Sequence, residues 1–136
     1  MKRGKRVKPV FPIEYRLLIT PVCKENEKKY VTSLALRTTN EFSSFRYEII
    51  VESELIDRTI RLNIRGLRAP HFSIPGSGPA VYKTEYPDLS GQYDLVIVKP
   101  GKEENLYSIT ITKKQILIRK NPKKKFVDVV TLADEW

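Results

Sequence analysis

Phe45-Arg46-Tyr47-Glu48-Ile49-Ile50-Val51-Glu52, followed shortly by Thr59-Ile60-Arg61-Leu62-Asn63-Ile64-Arg65, decides the fold class of this chain. In the first stretch Phe45, Tyr47, Ile49 and Val51 alternate with Arg46, Glu48 and Glu52. In the second, Ile60, Leu62 and Ile64 alternate with Arg61, Asn63 and Arg65. Successive side chains of a strand point to opposite faces, so a period of two marks half-buried β-strands. Working outward, residues 13–20 set Ile13, Tyr15, Leu17 and Ile19 against Glu14 and Arg16, and residues 30–38 place Leu34 and Leu36 inward. Further strands are predicted at 80–86, 92–99, 106–112, 115–119 and 126–131. The run Leu95-Val96-Ile97-Val98 is apolar on both faces. No 3.6-residue apolar stripe interrupts this pattern, so helix is nearly absent.

The connectors carry turn chemistry. Pro100-Gly101 and Asn121-Pro122 break the chain where it must return, because proline withholds an amide donor and biases its predecessor away from helix. Short strands without crossover helices favour antiparallel pairing, here as a β-sandwich of eight to nine strands, immunoglobulin-like or a similar Greek key, with a β-barrel as the alternative. Asp88-Leu89-Ser90-Gly91-Gln92-Tyr93 is similar to the tyrosine corner of immunoglobulin-like sandwiches. That resemblance implies the architecture only, since there is no Cys-Trp-Cys pattern. One connection stands apart: residues 66–79 hold Gly66, Pro70, Pro75, Gly76, Gly78 and Pro79 without strand alternation, a length that in compact domains marks functional or mobile segments.

With 136 residues, 40% of them apolar and 30% charged, the chain buries a core without metals or disulfides and forms one domain over residues 13–136. Residues 1–12 form a basic arm. The formal charge of +9 is concentrated in two acid-free segments, 1–8 and 119–125, and the rest is nearly neutral. A lone cysteine, Cys23, excludes an internal disulfide and is expected as a buried structural thiol. With no apolar region after the basic start and no membrane-length apolar run, the expected location is the cytoplasm.

Catalytic constellations are missing from the sequence. His71 is the single histidine, which leaves no metal site of the usual kind. Ser77 in Gly76-Ser77-Gly78 lacks both the spacing and the strand-to-helix setting of a nucleophile elbow. The acidic pairs Glu25/Glu27, Glu52/Glu54 and Glu103/Glu104 are interleaved with Lys and Arg and read as solvated surface. The leading expectation is therefore a non-catalytic interaction module without cofactor or metal, contacting a protein partner through the 66–79 loop with Arg68, His71, Phe72 and Ile74. The alternative is contact with nucleic acid or another anionic surface. Lys2, Arg3, Lys5, Arg6 and Lys8 of the arm would act with Arg119, Lys120, Lys123, Lys124 and Lys125 of a basic hairpin tip. A hydrolase with an unrecognised site is the remaining class.

Overall fold

A computed structural model describes residues 12–26, 28–43, 47–69 and 76–136. It is all-β. The strands are β1 (Tyr15–Lys24), β2 (Lys29–Phe42), β3 (Glu48–Ile56), β4 (Thr59–Arg68), β5 (Gly78–Pro87), β6 (Gly91–Val98), β7 (Glu104–Ile111), β8 (Ile116–Lys120) and β9 (Val127–Val130). They form one mixed sheet in the order β8-β7-β6-β4-β3-β5-β2-β1-β9, curled into a half-barrel. No helix of the described residues is long and apolar enough to cross a membrane.

The alternation translates directly into a core on the concave side. Leu17, Ile19, Leu34, Leu36, Ile60, Leu62, Ile64, Tyr107, Ile109 and Ile111 are all buried there. Burying each such side chain stabilises the fold by about 1.5–3 kcal/mol before conformational entropy is charged against it. In β6 both faces are covered: Leu95 and Ile97 point inward and Val96 and Val98 are also buried, as their continuous apolar run implies.

Purely antiparallel pairing is corrected by the structure. β1 runs parallel to β9, β4 to β6, and β3 to β5. The β3–β5 contact is a single pair, Glu48 with Val81, after which the two strands have no further ladder between them. Tyr82 Oη donates to Ser53 Oγ at 3.0 Å across that seam.

The segment 119–125 is likewise not a hairpin tip. β8 and β9 do not pair; the chain crosses from one margin of the sheet to the other and lays β9 beside β1. The physical reason is a set of hydrogen bonds that ties the crossing segment to both β1 and β7. Phe126 O accepts from the amides of Glu14 (2.8 Å) and Tyr15 (3.1 Å). From β7, Asn105 Oδ1 accepts from the amides of Phe126 (2.9 Å) and Val127 (3.2 Å), while Asn105 Nδ2 donates to Lys124 O (2.9 Å). Tyr107 Oη donates to Val127 O. These bonds draw the two margins of the curled sheet together, and Lys113 Nζ over the Tyr30 ring, 5.4 Å from its centroid, adds a contact nearer the rim.

Two local readings also change. The connection expected over 66–79 is shorter, because β4 continues through Arg68 and β5 begins at Gly78. Gly66 does not end β4 but supplies a β-bulge: Ile50 faces Gly66 while Val51 already faces Ile64, and Gly66 adopts φ 152°, a conformation that glycine tolerates best. Cys23 is exposed rather than buried, since the β1–β2 hairpin projects past the core at that end, where Val22 and Tyr30 are exposed too.

Candidate functional site

An open cleft of about 730 Å³ lies where β3 and β5 meet at their single bridge. That is within the size range of roughly 300–1,000 Å³ common for binding sites. Each wall follows from local structure. Tyr47 leads into β3 and is held by Phe42 in an edge-on contact, with ring centroids 5.0 Å apart. Glu48 opens β3 and pairs with Arg68 of β4 at 2.7 Å, so the end of β4 braces the rim. Ser77, Gly78 and Pro79 bring the chain in from the connection, and Val81 and Lys83 continue along β5.

The remaining wall is built by Arg37 of β2 and Trp136. The guanidinium of Arg37 lies 5.3 Å from the Trp136 ring centroid, Arg37 Nη2 donates to Trp136 O, and Trp136 Nε1 donates to Arg16 O at 3.3 Å. The cleft thus combines two aromatic rings, Pro79 and Val81 with cations at Arg37 and Lys83 and the carboxylate of Glu48, which Arg68 answers.

Of the residues expected in the protein-contact loop, Arg68 lies in β4 at the cleft margin, while His71, Phe72 and Ile74 fall outside the described residues. The arm residues Lys2, Arg3, Lys5, Arg6 and Lys8 do so as well. The other basic group is divided. Arg119 and Lys120 lie in a groove along β6–β8 together with Arg58, Gln92, Tyr93, Asp94, Ser108 and Ile109. Lys124 and Lys125 line a different hollow beside Lys99, Glu14, Glu103 and Phe126, and Lys123 is exposed on the crossing segment between them.

In that second hollow the charges are compensated. Lys99 Nζ donates to Glu14 Oε2 at 2.5 Å and lies 5.1 Å from the Phe126 ring centroid, and Lys125 approaches Asp128 at 3.6 Å. The hydrogen bond to Glu14 raises the Lys99 pKa above its ordinary value, outweighing partial burial. Neighbouring Tyr15 is also raised, by burial first and then by the Glu14 charge.

Three contributors escape sequence reading: Tyr47, Trp136 and Arg58. Tyr47 reads as an ordinary inward strand residue, and Arg58 is one cation among many in a turn. Trp136 carried a signal, being the sole tryptophan, but no local pattern says which face it covers. No three His, Cys, Asp or Glu side chains converge among the described residues as metal ligands would. Compared with known proteins, the chain matches no family model, no curated protein and no solved structure.

Proposed function

We propose that this chain is a non-catalytic binding module that holds a protein partner in the cleft between β2, β3 and β5, with the connection that follows Arg68 contributing Arg68, His71, Phe72 and Ile74. The observation that carries this reading is the single bridge between β3 and β5. Beyond Glu48 and Val81 each strand has a ladder on one side only, and the cleft with its two aromatic rings is lined by both residues of that bridge. Unpaired strand edges offer main-chain donors and acceptors to an extended segment, and adjacent pockets for its side chains give selectivity. A cation at each side, Arg37 and Lys83, favours a segment that carries acidic residues.

Site-specific photocrosslinking tests it. A photoreactive residue in place of exposed Lys83 is expected to yield a discrete protein adduct in extract from the native cell, and the same residue at Lys102, on the β6–β7 turn, is not. Adding Trp136→Ala should reduce the Lys83 adduct by about tenfold, the scale of a lost aromatic anchor. Equal adducts at both positions, or an adduct indifferent to Trp136, would contradict the reading.

A further inference from the structure

The groove along β6–β8 departs from the rest of the sheet in how its charges are paired. On β4, Arg61, Arg65 and Arg68 are each matched to a carboxylate, at Glu104, Glu52 and Glu48. Arg58, Arg119 and Lys120 share one groove and make no ion pair with any described carboxylate.

Register sets these groups beside one another. Thr59 faces Asp94, Asp94 faces Ser108 and Ser108 faces Lys120, so a row runs across four strands from Thr59 to Lys120, while Arg58, one residue before Thr59, turns its guanidinium over the Tyr93 ring. Both guanidinium groups are held in place by neutral acceptors. Arg58 Nη1 donates to Ser90 O at 2.5 Å and its guanidinium lies 4.8 Å from the Tyr93 ring centroid. Gly91, at φ 97°, keeps the space open: a Cβ there would stand 3.4 Å from Arg58 Nη1. Arg119 Nε donates to Thr110 Oγ1 at 3.2 Å. A fixed guanidinium with donors to spare is a preorganised anion site, because little conformational freedom remains to be lost on binding.

We propose that this groove binds the phosphate backbone of single-stranded nucleic acid. Arg119 and Lys120 against the single carboxylate of Asp94 give a net positive site, and Gln92 adds a neutral donor of the kind that contacts phosphate oxygens. Arg58 covers the Tyr93 ring, so the groove presents no free aromatic face for stacking a base, and recognition is of the backbone and independent of sequence. The cations line a recess in the face of a sheet, which a thin polymer enters and a planar bilayer spans. The site lies on strands other than those of the β3–β5 cleft, so either proposal can fail alone.

Fluorescence anisotropy with a labelled oligothymidylate, titrated between about 50 and 200 mM salt, tests the groove. Wild type is expected to bind. Arg119→Gln with Lys120→Gln, which spares the Arg58 contacts, should weaken binding by about tenfold and reduce the slope of log K against log salt by about 0.7 for each cation removed. Asp94→Asn should tighten binding by about threefold, a gain that misfolding cannot imitate. Three results would overturn the proposal: a double variant that keeps the wild-type slope, an Asp94→Asn variant without gain, or a wild type that binds phosphatidylserine vesicles and not the oligonucleotide.

Discussion

Asn105→Leu is expected to destabilise the protein by about 3–5 kcal/mol, enough to unfold much of a domain whose whole stability is of the order of 5–15 kcal/mol. Asn105 is 2% exposed and its amide serves three main-chain groups of the crossing between β8 and β9. Its Oδ1 accepts the Phe126 and Val127 amides and its Nδ2 donates to Lys124 O. Leucine fills the space but leaves those groups without partners in a buried setting, at roughly 1–3 kcal/mol each. Asn105→Asp keeps both acceptor bonds and should recover part of the loss. Urea denaturation of the three proteins measures this. A leucine variant within about 1 kcal/mol of wild type would mean that the crossing is not held by Asn105.

Tyr107 carries the second large effect. Its ring is fully buried in the concave core and its hydroxyl donates to Val127 O, so it joins β7 to β9 as Asn105 does. Tyr107→Ala is expected to cost about 3–5 kcal/mol through the cavity it leaves, whereas Tyr107→Phe should cost only about 1 kcal/mol near neutral pH. The two differ because phenylalanine keeps the packing and loses one bond.

Alkaline pH reverses the comparison. Burial pushes the Tyr107 phenol above its ordinary pKa of 10.0, and the negative charge of Asp128 adds to that direction. Below pH 10 the phenol is protonated in both the folded and unfolded chain, so its contribution is fully present. Above it the unfolded chain releases the proton while the folded protein retains it, and stability from this group falls by about 1.4 kcal/mol per pH unit. Tyr107→Phe lacks this loss. Its deficit relative to wild type should therefore shrink and then vanish as pH rises beyond 10, which denaturation at matched pH values will show. A constant gap would contradict burial of the hydroxyl.

The strands themselves were legible in the sequence because alternation is a local property. Leu17 and Ile19, Ile60 to Ile64 and Tyr107 to Ile111 point inward as their spacing dictates. Pairing was not legible, since whether β9 lies beside β8 or β1 depends on Asn105, a residue about twenty positions away that reads as one more polar group after a turn. Gly66 was misleading for a physical reason: a glycine that permits a bulge and a glycine that ends a strand look alike until the register is known. Basic character had the same limit. Counting cations found Arg119 and Lys120, but only the fold shows that these two share a groove with Asp94 while Lys99 and Lys125 are answered by carboxylates.

The proposed protein contact depends on β3 and β5 parting after one bridge. Residue-resolved amide hydrogen exchange on the intact protein examines this most directly. In β3 after Glu48 and β5 after Val81, the amides that point away from β4 and β2 should exchange far faster than their alternating neighbours within the same strands. Uniform slow exchange along both strands would mean that the seam is a closed ladder, leaving no edge for a partner to join.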